Sequence, residues 1–179
     1  LDVVERVRLL CYLNVYEEAL KVAQLEALRA ETPPELKVEL QAWVAFVLSE
    51  KGDHAGALAA FEKVPTAIAK SVMFREAQAK SQMNSQKFAE AAKGYQKLLV
   101  LAPNYFRYHW YYFWNLLASG DLKAASRYIV SSRDKAFNEI DYRKDAGLYW
   151  EGRTLLSSGK IAAALDLLKP LLGKETPGY

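Results

Sequence analysis

Two histidines, one cysteine and scattered carboxylates are the residues of this chain that could carry catalysis or hold a metal ion. His54 follows Gly52-Asp53 in a turn-like stretch and His109 sits in an aromatic run, with no second His or Cys at metal-ligand spacing from either. Neither the His-Glu-x-x-His pattern that offers two imidazoles to zinc nor the Gly-x-Ser-x-Gly elbow that exposes a nucleophile occurs. Gly173-Lys174 lacks both the preceding glycine loop and the following Ser/Thr of a phosphate-binding loop, so it reads as a helix end. Glu17-Glu18 and the pair Asp141 and Asp145 read as solvated faces and helix-start charges. Convergent polar chemistry is missing, and the sequence predicts no catalytic residue, no metal site and no cofactor.

The chemistry that is concentrated is aromatic. Residues 105–114 hold Tyr105, Phe106, Tyr108, Trp110, Tyr111, Tyr112, Phe113 and Trp114, eight aromatic residues in ten, with Arg107 and His109 between them. A helix that is aromatic all round cannot put every ring into one seam. Phe106, Tyr112 and Phe113 are expected to pack against neighbouring helices, whereas Trp110 and Trp114, four apart and so on one face, are candidates for contact with a partner. Tyr149 and Arg153 form another pair at that spacing.

Stacked aromatics beside Arg107 also describe a platform for single-stranded nucleic acid, with Tyr108, Trp110 and Trp114 as the stacking rings. Charge opposes that alternative. The formal net charge is only +3, and residues 1–60 carry 6 Lys/Arg against 10 Asp/Glu. A phosphate-tracking groove wants a clustered basic stripe, and an acidic first third repels a strand.

The elements that must hold these side chains are helices arranged in a repeat. At 179 residues and 51% hydrophobic the chain is long and apolar enough to bury a core, and 9 Gly, 6 Pro and one Cys exclude collagen-like and disulfide-framework classes. No apolar run reaches the ~18 residues of a membrane-spanning helix, so membrane insertion is not expected. Apolar residues recur at helical spacing over 39–49 and 106–118, Pro33-Pro34, Pro65 and Pro103 fall at helix starts, and no segment reads as a strand. Five segments then align: Asn14 to Ala19, Gly52 to Ala57, Gln86 to Ala91, Gly120 to Ala125 and Gly159 to Ala164. Their starts are 38, 34, 34 and 39 residues apart, and four residues beyond each alanine come Ala23, Phe61, Tyr95, Ile129 and Leu168. A small residue at a fixed register lets two helices approach closely, and the close approach then repeats from unit to unit.

This pattern resembles the tetratricopeptide repeat, a helix-turn-helix unit of 34 residues. The third unit fits best, with Ala79, Phe88, Ala91, Tyr95, Leu98 and Pro103-Asn104; the fifth supplies Gly152, Ile161, Ala164, Leu168 and Leu171. The departures are Val7 and Phe113, which stand where the family has a small residue and predict wider packing there. The resemblance implies an all-α fold, a right-handed solenoid of antiparallel helix pairs, in five units of about 1–34, 35–71, 72–105, 106–140 and 141–179 making one repeat domain.

It implies a function as well: a scaffold or adaptor that docks a peptide or helix of another protein in the concave groove lined by the first helix of each unit. Carried onto this sequence, the groove positions are Val4, Arg8 and Tyr12; Ala42, Phe46 and Glu50; Glu76, Lys80 and Asn84; Trp110, Trp114 and Ala118; and Tyr149, Arg153 and Ser157. Arg107 adds a cation beside the fourth set. Chaperone-binding members of the family clamp a peptide C-terminus with Lys, Asn and Arg side chains, and only Lys80 and Asn84 match that set, so the clamp is incomplete. Leu167, Leu168, Leu171 and Leu172 make the last helix apolar, and the first helix begins at once with Val3, Val4, Val7, Leu10 and Cys11. Both ends predict a piece of a longer, multidomain protein, with self-association through the last helix as a second expectation.

Overall fold

The computed structural model describes residues 2–65, 68–136 and 141–171; Leu1, Leu172 and Gly173-Lys174 lie outside the described residues, as does the side chain of Asp141. Among the described residues there are ten α-helices and no strand. They are α1 (Val3–Tyr12), α2 (Tyr16–Leu28), α3 (Pro34–Glu50), α4 (His54–Phe61), α5 (Val72–Asn84), α6 (Phe88–Leu101), α7 (Phe106–Ala118), α8 (Leu122–Ala136), α9 (Asp141–Ser157) and α10 (Ile161–Leu168). The chain divides into two compact units, Leu1–Gly94 and Tyr95–Tyr179.

One turn recurs five times. Asn14, Gly52, Gln86, Gly120 and Gly159 all have positive φ, between 59° and 88°. In each, the amide of this residue bonds the carbonyl three residues back and the next amide reaches five back: Asn14 to Cys11 and Val15 to Leu10, through to Gly159 to Leu156 and Lys160 to Leu155. This is the Schellman closure, which ties off carbonyls that the end of a helix leaves without partners. Three of the five residues are glycine, for which this conformation carries no Cβ penalty. Asp53 and Asp121 then cap the following helices, accepting from Gly56 N at 2.9 Å and Ala124 N at 3.0 Å.

The register alanines are the contact points. Ala19, Ala57, Ala91, Ala125 and Ala164 are all fully buried, and of the residues four further on Ala23, Phe61, Tyr95 and Ile129 are buried while Leu168 is half-buried. Val7, Ala45, Ala79, Phe113 and Gly152, on the first helix of each pair, are buried too. A Cβ on Gly152 would lie 2.6 Å from Leu168 Cγ, so α9 and α10 meet where only a hydrogen fits. Val7 and Phe113 are the large residues of this set, and both are fully buried.

In the first unit α1 packs on α2, α2 on α3, α3 on α4 and α5, and α4 on α5. Its core runs from Val7 through Leu40, Trp43 and Val47 to Phe74 and Ala77. Trp43, Phe46 and Phe74 meet edge to face at 5.5–6.4 Å. Beneath them Ser81 donates to Ser49 Oγ at 2.8 Å and Ser49 donates to the Ala77 carbonyl at 3.1 Å, a buried polar link between α3 and α5. In the second unit α7 packs on α8, α8 on α9 and α9 on α10. Ring pairs run through it: Tyr95 with Tyr108 and Tyr111, Tyr112 with Tyr128, and Trp150 with Trp110 and Phe113.

Candidate binding site in the second unit

Trp150 organises the site. It lies one turn before Arg153 on α9, meets Trp110 at 5.0 Å, Tyr149 at 5.3 Å and Phe113 at 6.1 Å, each edge to face, and carries the Arg153 guanidinium 5.3 Å above its ring. Its indole Nε1 is buried and has no acceptor among the described residues. In front of it opens a groove of about 280 Å³ between α7 and α9, walled by Trp114, Leu117 and Ala118, by Trp150, Arg153 and Ser157, and floored by Leu122. Ser157 Oγ donates to the Arg153 carbonyl at 3.0 Å, which fixes the last turn of α9. Among the described residues no carboxylate pairs with Arg153, and its side chain is exposed.

Of Phe106, Tyr112 and Phe113, expected to pack against neighbouring helices, Phe113 is fully buried and meets Trp150 of α9, and Tyr112 meets Tyr128 of α8 at 4.6 Å, while Phe106 stacks at 6.5 Å on Trp110 of its own helix. Trp110 and Trp114 part company: Trp110 is half-buried against Trp150, while Trp114 lines the groove. Arg107 is exposed at the start of α7, where the Tyr105 hydroxyl, with Tyr111 beside it, holds the guanidinium above its ordinary range. His109 is built into the fold. Its Nε2 lies 2.6 Å from the Pro103 carbonyl and its Nδ1 2.5 Å from the Tyr128 hydroxyl. A carbonyl only accepts, so Nε2 donates to Pro103, and Nδ1 shares a short hydrogen bond with the Tyr128 hydroxyl. Burial, with Tyr112 adding to it, pushes the Tyr128 phenol above its usual range.

The candidates of the first unit have different surroundings. Arg8 is exposed and Tyr12 is 84% exposed. Phe46 is half-buried over Trp43 and Phe74. Lys80 is bound to Glu50 across α5 and α3 at 3.0 Å, Glu76 is half-buried and Asn84 exposed. Two more ion pairs, Lys51 with Glu17 at 2.6 Å and Arg6 with Glu18 at 3.6 Å, tie helices of this unit together. Glu50 is also felt at Cys11, whose thiol burial and then that carboxylate push up to about 11. Among the described residues no group of three His, Cys, Asp or Glu side chains converges, and no helix is long and apolar enough to cross a membrane. On α10, Ile161 and Leu165 are exposed.

Sequence reasoning missed Trp150 and the mutual neutralisation of Glu50 and Lys80. Counting back from each turn residue gives a signal for Trp150, which shares a register with Trp43, and shows that Lys80 is equivalent to Arg153 and Glu50 to Ala118, though not that Glu50 and Lys80 pair.

The arrangement of paired helices matches solved structures across nearly the whole chain. YrrB, described as a TPR protein with an unusual peptide-binding site, superposes with a TM-score of 0.73 at 17% identity, covering 93% of this chain and 81% of that one. The fold is that of tetratricopeptide-repeat proteins. MamA from Desulfovibrio magneticus superposes at 0.68 with 14% identity, covering 95% of this chain and 91% of that one. The TPR-like repeats of a Podosopora anserina putative kinesin light chain follow at 0.62 and 17%, covering 93% of this chain and 90% of theirs. No protein-family model matches the sequence, and no curated protein does. The tetratricopeptide-repeat likeness is thus carried by backbone geometry and by a handful of register positions.

Proposed function

We propose that this chain is a non-catalytic protein-interaction domain that docks a segment of another protein against the α7–α9 groove. The observation that carries the reading is the groove itself, where Trp114 and Trp150 offer rigid apolar area and Arg153 offers an exposed guanidinium on the same face. Rigid aromatics beside an Arg are the composition of strong contact points in protein interfaces. The peptide-binding site attributed to YrrB, whose fold is shared, supports the same direction. Trp114, Tyr149 and Arg153 are the contacts we assign first, with Trp110 holding Trp150 from behind; Arg8, Tyr12, Phe46, Glu50, Glu76, Lys80, Asn84 and Arg107 are assigned as outlying positions of a concave partner-binding surface.

The test is capture of proteins from a lysate by the parent chain and by a W114A/R153A double variant, at low and moderate salt. The expected result is a protein retained by the parent at both salts and lost by the variant, with helical circular dichroism unchanged. Nucleic acid that is recovered at low salt and lost at moderate salt would favour a phosphate-tracking surface instead.

A further inference from the structure

Resting on that docking reading, we propose that the segment taken by the α7–α9 groove is acidic: an Asp or Glu side chain within one or two residues of a large apolar residue, the carboxylate meeting Arg153 and the apolar side chain filling the space before Trp114 and Trp150. The argument is one of register between two equivalent places. Lys80 and Arg153 each stand six residues before a turn residue, Gln86 and Gly159. Glu50 and Ala118 each stand two residues before theirs, Gly52 and Gly120, on the first helix of the preceding pair.

Between α3 and α5 the chain supplies its own counter-ion, and Glu50 meets Lys80 at 3.0 Å. Between α7 and α9 the counter-ion position is Ala118, and Ala118 and Arg153 line one groove. The space is vacated along with the charge, because a methyl group replaces a carboxyethyl side chain. No lining residue is acidic, and the guanidinium lies 5.3 Å over the Trp150 ring, a planar group whose fork of N–H donors suits a carboxylate. The walls beyond it, Leu117, Leu122 and the two indoles, want apolar surface. A ligand completing the site brings what Glu50 brings to Lys80, together with an apolar side chain.

The experiment is selection of random octapeptides displayed on phage against the whole chain. The best sequence is then synthesised with its C-terminus amidated or free, and its affinity is measured for the parent and for R153Q, A118E and W114A. The expected result is enrichment of Asp or Glu beside Phe, Leu, Ile or Trp, and about ten-fold weaker binding to R153Q. A118E is expected to weaken binding equally by supplying an internal carboxylate while leaving Arg153 in place. Equal affinity of the amidated and free forms assigns the carboxylate to a side chain; binding only by the free form overturns that assignment in favour of a chain terminus. Selected peptides without acidic enrichment, or undiminished binding to A118E, overturn the proposal, and the docking reading survives if W114A still abolishes their binding. Failure to select any peptide sensitive to W114A overturns both.

Discussion

The two units treat one register position differently: in the first Lys80 meets Glu50, and in the second no carboxylate among the described residues meets Arg153. From Val7 to Phe74 the first unit joins its helices through small or aliphatic residues, an aromatic triad and ion pairs that run from helix to helix: Arg6 to Glu18, Lys51 to Glu17, Lys80 to Glu50. The second unit uses the same turns and the same register alanines, yet gathers rings from α7 and α9 about Trp150, and among the described residues no carboxylate meets Arg153 on the ring face. Trp43 and Trp150 make the contrast sharpest. Each is followed three residues later by a side chain over its ring, and each buries an indole N–H that has no acceptor among the described residues. In the first unit that side chain is Phe46, and Phe74 closes the other edge; in the second it is a cation facing an open groove. One backbone plan thus yields a closed joint in one place and a receptive surface in another, through four or five side chains.

Breaking the ring-built joint has the largest expected effect. Phe113→Ala removes a fully buried ring beside Trp150, and should cost about 3–5 kcal/mol in urea unfolding. The groove should be lost with it, seen as loss of the partner captured by the parent. An equal loss of stability with capture intact would show that Phe113 does not position Trp150.

The first unit's buried polar link comes next. Ser49→Ala removes the acceptor of the Ser81 hydroxyl, which is fully buried, and should cost about 1–3 kcal/mol in the same measurement. Capture through the second unit should be unaffected, and a change there would mean the two units are energetically coupled.

Alkali sharpens the comparison further, since Cys11 belongs to the first unit alone. Its thiol is raised from 9.0 to about 11 in the folded chain, so the folded state favours the neutral thiol. That contribution is fully present below the unfolded value and is lost as pH rises through the folded one. The melting temperature should therefore fall more between pH 9 and 11 for the parent than for Cys11→Ala, and identical slopes would remove Cys11 from the account.

Glu50→Ala has the smallest effect on stability, under about 1 kcal/mol for a half-exposed pair. Its effect on binding is the informative one. It leaves Lys80 without its counter-ion, as Ala118 leaves Arg153, so the amidated acidic peptide should gain a second, weaker site in titration calorimetry, while an unchanged stoichiometry would show that the rings, not the free cation, make the surface receptive.

Much of the fold was legible in the residues. The turn positions Asn14, Gly52, Gln86, Gly120 and Gly159 stand out by spacing even where glycine is replaced, and the alanines five residues on mark where helices touch. The periodicity is readable because it is local, with each turn closed by hydrogen bonds that reach no more than five residues back. The site was less legible, because its character depends on pairs some thirty residues apart. Nothing in the neighbourhood of Lys80 says that Glu50 will reach it, and nothing near Trp150 says that Trp110, forty positions earlier, will meet its edge. Glu50 and Lys80 each read as a free contact residue for that reason, and Trp150 as an ordinary helix position.

The repeated turn also bears on how such a chain yields to force. Each helix hairpin is closed by its own Schellman bonds and its own alanine contact, so its integrity depends on itself and its immediate neighbours. Stretched from its ends, the chain should lengthen in steps of one hairpin, each releasing on the order of 110–120 Å of contour for 34 residues at full extension.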